Sequence, residues 1–167
     1  MDFAGAVVMK NNFKKQSQEF LKHVKKQMIA KQKQTANLAV NQLLQESTPV
    51  YLGDYVKSFN IGVNQVRTDY TINPLRSAGM HELPGKMKKD AAMALRFNKK
   101  KALTNKINAL GLKIGDSVNI SNSVPHAHAV EYGSPKISFA GSNVSTPEYA
   151  VYRIAITFLK LVFNRKV

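Results

Sequence analysis

The longest regular pattern of apolar and polar positions runs from about Phe13 to Gln45. Apolar side chains recur at the helical period on one side of this segment, and lysines recur on the opposite side. The apolar side consists of Phe20, Leu21, Val24, Met28, Leu38 and Ala39, and the cationic stripe consists of Lys15, Lys22, Lys26 and Lys33. The pattern predicts a long helix with a core face and a cationic face, ended by Pro49. Residues 1–12 are predicted to form a flexible N-terminal arm.

Alternating positions after this helix predict a small sheet. Phe59, Ile61 and Val63 alternate with polar residues, which indicates a half-buried strand within residues 57–65. A second short strand is predicted over about residues 68–72. The two strands would form the beginning of an antiparallel sheet.

A loop and a second helix follow. Two prolines and two glycines within residues 73–85 predict a long loop. A helix is predicted from about Lys88 to Leu110, and Gly111 is a suitable stop. Its apolar face consists of Met93, Phe97, Leu103, Ile107 and Leu110. Asn98 is a poor helix former, so the pattern is compatible with a break there.

Short elements and a final apolar helix complete the chain. Residues 117–121 are typical of a strand, residues 125–132 of a short helical turn and residues 137–139 of a short strand. A C-terminal helix is predicted from Pro147 to Asn164. Its thin polar stripe consists of Arg153, Thr157, Lys160 and Asn164. A helix this apolar must be buried on most sides, either as a central core helix or in a subunit interface.

These elements predict an α+β fold, in which a long N-terminal helix and a C-terminal helix pack on a small, mostly antiparallel sheet. A chain of 167 residues with 44% hydrophobic residues has room for one domain with an ordinary core. We expect this domain to cover residues 13–167. The N-terminal sequence does not resemble a signal peptide, and no apolar run approaches a membrane span, so an intracellular protein is expected.

The charge is the strongest compositional signal. A net charge of +15 and a pI of about 10.1 favour a polyanionic partner, nucleic acid before an anionic membrane surface. The candidate DNA-facing residues are Lys22, Lys26, Lys33, Arg96, Lys99, Lys100, Lys101 and Lys106. Few aromatic residues are interleaved with them, so any contact is expected to be non-specific and salt-sensitive. The alternative is a solvated charged surface. Glutamines dilute the apolar side of the first helix, which argues against membrane binding.

No catalytic motif is found in the sequence. It has no cysteine and no nucleophile-elbow, phosphate-loop or dinucleotide fingerprint, and its ten acidic residues are scattered. His126, His128 and Glu131 have the side chains of a metal site. In a strand the two histidines would share a face, whereas in a helix only His128 and Glu131 would be neighbours. We expect no metal, no cofactor and no enzymatic activity.

Three sequence features resemble one protein family. Pro49 is followed by Leu-Gly-Asp-Tyr-Val-Lys-Ser at residues 52–58, where Gly53 and Ser58 match the family pattern and leucine and tyrosine replace its usual threonine and leucine. Residues 126–133 read His-Ala-His-Ala-Val-Glu-Tyr-Gly, which matches the family pattern except at the first histidine. A proline-initiated C-terminal helix follows. The chain thereby resembles the tail-completion or head–tail joining proteins of tailed-bacteriophage necks, also called minor tail proteins.

The resemblance implies a structural virion protein, made in the host cytoplasm and located in the phage neck. It implies a homo-oligomeric ring, a hexamer or a dodecamer, that contacts other neck proteins and surrounds the viral DNA. Gly53 and Gly133 are expected to allow tight turns. Glu131 is expected to pair with a basic residue across an interface, or else to be an exposed helix-end carboxylate. Assembly candidates are Gly53, Ser58, Glu131, Gly133, Tyr152 and Phe158. The alternative function is a non-specific nucleic-acid-binding protein.

Overall fold

Helices and two small antiparallel sheets make up the computed structural model. It describes residues 3–48, 50, 53–71, 89–125, 127–133, 137–139, 142–144 and 148–164. The helices are α1 (Phe3–Leu43), α2 (Asp54–Lys57), α3 (Lys89–Ala109), α4 (Ala127–Tyr132) and α5 (Val151–Asn164). The strands are β1 (Phe59–Val63), β2 (Val118–Asn122), β3 (Ile137–Phe139) and β4 (Ser142–Val144). The predicted loop at 73–85 lies outside the described residues.

The first helix is longer than the sequence pattern predicts. It begins at Phe3, so the predicted start near Phe13 is wrong, and the part of the arm that is described is helical. No proline and only one glycine lie within it, so nothing in its composition interrupts the helix. After its last residue the chain turns, and the buried Thr48 hydroxyl donates a 2.7 Å hydrogen bond to the Leu43 carbonyl. This bond satisfies one of the orphan carbonyls at the helix end.

The buried side of α1 is not the predicted one. Its C-terminal half is buried at Ala36, Val40 and Leu43, whereas Phe20 and Met28 are exposed. Lys26, Lys33 and Val40 recur at a spacing of seven residues, so the cationic stripe lies on the same side of the helix as the buried valine. The predicted core face therefore points away from the side that packs, and only Val24, Leu38 and Ala39 of it are half-buried.

The central sheet pairs two strands that are far apart in sequence. β1 and β2 are antiparallel, with Phe59 opposite Asn122 and Ile61 opposite Ile120. Phe59 and Ile61 are fully buried, as their alternation predicts. β3 and β4 form a second antiparallel pair. The long helix, the C-terminal helix packed on it and the small antiparallel sheet confirm the predicted α+β fold class.

The strand predicted over residues 68–72 is wrong for its described part, because residues 64–71 contain no strand. The segment from Arg67 to Thr71 is held by side chains of the central sheet. Asn60 donates to the Asp69 carbonyl at 2.6 Å, and Ser121 donates to the Arg67 carbonyl at 2.7 Å. These two residues lie opposite each other on the polar face of the sheet. The segment therefore crosses that face without adding a strand.

Gly62 makes this crossing possible. A Cβ atom built on Gly62 would lie 2.2 Å from the Gln65 carbonyl oxygen, closer than any real Cβ contact. Glycine is unfavourable within a strand, but here its lack of a side chain leaves room for the segment that folds back over the sheet.

The second long helix, α3, is continuous through Asn98, so the break considered there does not occur. Its buried residues are Ala92, Leu103 and Ile107, which recur on one face. Met93 and Phe97, which were assigned to the core, are 45% and 65% exposed. The predicted face is right in the C-terminal half of α3 and wrong in the N-terminal half.

The C-terminal helix begins later than predicted, at Val151 rather than Pro147. It packs against α1 and α4. Val151 and Ala155 are its buried residues, and they join the hydrophobic core. The other buried core residues are Ala36, Val40, Leu43, Leu44, Val50, Tyr55, Val56, Phe59, Ile61, Ala92, Leu103, Ile107, Val124 and Val130.

Candidate functional site

Glu131 is the cap of a helix that begins twenty residues later in the sequence. Its two carboxylate oxygens accept hydrogen bonds from the backbone N–H groups of Tyr152 at 2.9 Å and Arg153 at 3.1 Å. These are the second and third residues of α5, whose N–H groups have no partner within the helix. Ala150 precedes the helix and offers no side-chain acceptor, so a distant carboxylate takes the place of a local cap.

The junction of α4 and α5 is reinforced by backbone and ionic contacts. The Tyr149 N–H donates to the Val130 carbonyl at 3.0 Å, and the Arg153 guanidinium lies 3.4 Å from a Glu131 oxygen. Arg153 also pairs with the exposed Glu148. The hydrogen bond and charge of Glu148, followed by the contacts with Glu131, raise the pKa of Arg153.

Glu131 is only 7% exposed, and its partners belong to its own chain. Its burial contradicts the expectation of an exposed helix-end carboxylate, whereas a pairing across an interface stays a prediction. A buried carboxylate at the positive end of a helix stabilises that end through hydrogen bonds and the helix dipole. The Glu131 side chain therefore fixes the position of α5 on the rest of the molecule.

Tyr152 lies next to this cap and faces the core. Its ring centroid is 6.0 Å from that of Phe59, which contacts Tyr55 edge-on at 5.2 Å. The Tyr152 hydroxyl is buried and has no hydrogen-bond partner among the described residues. Burial, and then the nearby Tyr55 and Glu131, raise the pKa of Tyr152 well above its ordinary value. Phe158, the other assembly candidate on α5, is partly exposed.

The glycines and the serine of the matched motifs have local structural roles. Gly53 and Gly133 have φ angles of 84° and 76°, which agrees with the expectation that they allow turns which side chains disfavour. Ser58 is fully buried; its hydroxyl donates to the Thr71 carbonyl at 3.1 Å and accepts from the Thr71 N–H at 2.9 Å. These residues therefore shape the fold of their own chain.

Three of the eight candidate DNA-facing residues are engaged within the molecule. The Arg96 guanidinium donates twice to the Thr48 carbonyl, at 3.0 and 2.5 Å, beyond the end of α1. Lys99 donates to the carbonyl of Lys57 at the end of α2. Burial lowers the pKa of both side chains, and Lys106 further lowers that of Lys99. Lys33 donates to the Asn108 carbonyl at 2.7 Å, which ties α1 to α3.

The other candidates remain available to a partner. Lys22, Lys26, Lys101 and Lys106 are exposed, and Lys100 is partly exposed. Among the described residues, the ion pairs are those of Arg153 with Glu131 and Glu148, so no carboxylate neutralises these lysines there. They are placed on two helices, α1 and α3.

Large apolar side chains are exposed on three helices. On α5, Ile154, Ile156 and Leu161 are between 50 and 56% exposed. On α1 the exposed apolar residues are Phe13, Phe20, Leu21 and Met28, and on α3 they are Met93 and Phe97. The prediction that α5 is buried on most sides is not fulfilled within one chain, and α5 is not a central core helix.

The structure gives little support for other kinds of site. His128 packs against the ring of Tyr132, with centroids 4.7 Å apart, and His126 lies outside the described residues. Within the described ranges no three metal-ligating side chains come together. The helices of those ranges are too short or too polar for any of them to cross a membrane.

Comparisons with known proteins add no family. No model of a known protein family matches the sequence. Searches of curated proteins and of solved structures gave no significant match to the chain. The function is therefore argued from the surfaces of the molecule and from the resemblance of its motifs.

Proposed function

We propose that this chain is a structural virion protein of the phage neck, a tail-completion or head–tail joining protein that forms a homo-oligomeric ring around the DNA channel. One observation carries the proposal, namely an uncovered apolar surface on α5. Ile154 and Leu161 are seven residues apart and therefore lie on the same side of the helix, at the surface of a single chain, where water contact with apolar side chains is unfavourable. Contact with another subunit would remove them from water, at about 25 cal/mol gained per Å² buried.

The charges on α5 favour a second copy as the partner. Its charged side chains in the described part are Arg153, already paired with two carboxylates, and Lys160. This surface of α5 would thus meet a surface of another subunit with little repulsion. A ring needs two different complementary patches on each subunit. The exposed Met93 and Phe97 of α3 supply a second apolar patch, to which the α5 face of a neighbour can bind.

The unneutralised lysines support the DNA part of the proposal. Lysines attract phosphates without reading the base sequence, as a channel that passes any DNA requires. Lys22 and Lys26 on α1 and Lys101 and Lys106 on α3 are the residues assigned to this role. Lys33, Arg96 and Lys99 are removed from the set, because their charged groups hold the fold together.

The same lysines favour a second candidate function, a free non-specific nucleic-acid-binding protein. This function needs no assembly and no other virion protein. It differs from the first in predicting a monomer that binds any duplex with steep salt dependence.

The mass of the purified protein, measured by light scattering alone and with other neck components, tests the ring. We expect a discrete ring, or a shift to one upon addition of a neck component. Leu161→Asp should abolish it, because it places a charge in the buried contact. Ile156→Asp adds the same charge at a similarly exposed position on the other side of the polar stripe and should leave the ring intact. A monomer under all these conditions would contradict the proposal.

Salt-dependent binding to duplex DNA tests the lysines. Replacement of Lys22 and Lys26 by glutamine should reduce the slope of log K against log salt by about 2, roughly 0.9 for each lost phosphate contact. Lys33→Gln is the matched control from the same stripe, and its slope should equal that of the unmodified protein. An unchanged slope in the double variant would exclude α1 from DNA contact.

A further inference from the structure

The N-terminal half of α1 exposes its described side chains to solvent. Between residues 12 and 28 no described side chain is buried, and Ala36 is the first residue of α1 described as buried. Phe13 is 72% exposed and Phe20 is 67% exposed. Isolated helices are only marginally stable in water, so this segment gains most of its stability from whatever it packs against.

The exposed apolar residues of this segment form a stripe. At 100° per residue, Phe13, Phe20, Leu21 and Met28 fall within about one third of the helix circumference. A shallow depression on the stripe is lined by Phe13, Phe20 and Leu21 together with polar side chains. Phenylalanines and leucine at such spacings are the anchors of a helix that binds in a groove.

The two edges of the stripe differ in charge. Lys14 and Lys25 border it beside Leu21, and both are exposed. The other edge carries no lysine between residues 12 and 28, and His23 and Gln27, which lie there, form a hydrogen bond of 2.8 Å. α1 contains one acidic residue, Glu19, against eight lysines. Those lysines are Lys10, Lys14, Lys15, Lys22, Lys25, Lys26, Lys31 and Lys33.

These charges decide which occupant the stripe fits. A second copy of α1 would offer these lysines either its own lysines, in an antiparallel pair, or the edge without lysines, in a parallel pair, and in neither case a carboxylate to pair with them. Nucleic acid would pair with the lysines but leave the phenylalanines in water. A protein groove with an apolar floor and carboxylates along one rim satisfies both features at once.

We propose that residues 12–28 of α1 dock, as an amphipathic helix, in an apolar groove of a different protein whose rim beside Lys14 and Lys25 is acidic. The inference rests on α1 alone and not on the ring. Because the ring contact is assigned to α5 and α3, either proposal can fail while the other stands.

Designed peptides serve as the probe for this surface, with the full chain as the binding partner. One helical peptide has leucines at its core positions and glutamates at the flanking positions, and its twin has lysines in place of the glutamates. A third peptide keeps the glutamates and replaces the leucines by glutamine. Binding is measured by fluorescence anisotropy at physiological salt.

We expect the leucine–glutamate peptide to bind roughly tenfold or more tightly than either of the others, since both its apolar core and its acidic flanks are needed. Replacement of Phe20 and Leu21 by serine should weaken that binding roughly tenfold, because anchors dominate such contacts. Val66→Ser changes a similarly exposed apolar side chain outside α1 and outside the proposed ring contact, and should have no effect.

Other outcomes overturn the inference. Equal binding of the two glutamate peptides would show that charge alone drives the contact. The absence of binding to any peptide would contradict the docking role. If the Phe20 and Leu21 variant loses self-association instead, the occupant is a second copy. If anionic phosphatidylglycerol vesicles bind through these residues and the peptides do not, the stripe is a membrane surface.

Discussion

The two halves of α1 contrast in composition and in environment. The C-terminal half packs through small and aliphatic residues, Ala36, Val40 and Leu43, whereas the N-terminal half carries Phe13 and Phe20, which are 72% and 67% exposed. The larger apolar side chains are thus the exposed ones. An apolar stripe indicates that a helix must be covered, but it does not show which chain covers it.

The largest expected effect is on the free energy of unfolding, when a leucine is replaced by alanine in one half of α1 and, separately, in the other. Leu43→Ala should lower the free energy of unfolding by about 2–5 kcal/mol, because it leaves a cavity at a side chain only 2% exposed. Leu21→Ala, at a side chain 54% exposed, should change it by less than about 0.5 kcal/mol. Urea denaturation measures both. Equal losses would show that the N-terminal half is packed in solution.

A second comparison separates the two carboxylates that pair with Arg153. Glu131→Ala should lower the stability by about 2–3 kcal/mol, because two N–H groups of α5 lose their acceptor and the helix its cap. Glu148→Ala removes an exposed partner of the same arginine and should cost at most about 1 kcal/mol. Chemical denaturation with circular dichroism reads out both. Equal losses of stability in the two variants would show that α5 is held by the ion pairs of Arg153 and not by the cap.

A third comparison tests the hydrogen bonds that the Arg96 guanidinium donates to a carbonyl just beyond the packed end of α1. Arg96→Met keeps most of the side-chain volume but removes the donors to the Thr48 carbonyl, and should cost about 1–3 kcal/mol. Lys101→Met on the same helix lacks such contacts and should be nearly neutral. The midpoints of urea denaturation distinguish the two. A neutral Arg96→Met would place Arg96 back among the DNA-facing candidates.

The smallest expected effect is a gain. Tyr152→Phe removes a buried hydroxyl without a described partner, and should raise the stability by up to about 1 kcal/mol. Because burial raises the pKa of Tyr152, its hydroxyl stays neutral in the folded protein, whereas the same hydroxyl ionises at pH ~10 in the unfolded chain. Stability is therefore lost as the pH rises above that value, and the variant should lose less. Denaturation at neutral and alkaline pH checks both statements; a loss of stability in the variant at neutral pH would reveal a missing hydrogen bond.

Local patterns predicted much of the fold. The end residues of α3 are within one position of the prediction, and β1, β2, α4 and β3 lie where alternation and helical spacing indicated them. Such elements depend on neighbours in the sequence. The start of α5 could not be placed in this way, because it is determined by Glu131, which precedes the helix by twenty residues, with β3 and β4 between them.

The site was harder to predict because charged residues look alike in sequence. Arg96 and Lys99 belong to a cationic run, and only the position of two helix ends shows that they bind carbonyls and not phosphates. One signal was present: both lie on the face of α3 that also carries Ala92 and Leu103. A cation aligned with buried positions indicates an intramolecular partner.

The segment that crosses the central sheet has a consequence for divergence among related chains. Its carbonyls at Arg67, Asp69 and Thr71 accept hydrogen bonds from the side chains of Ser121 and Asn60, which belong to the sheet, and of Ser58, which directly precedes β1. The sequence of residues 66–71 is therefore free to drift, as long as its backbone path is kept. The serines and asparagine beneath it are not, so distant relatives should be aligned by Ser58, Asn60 and Ser121.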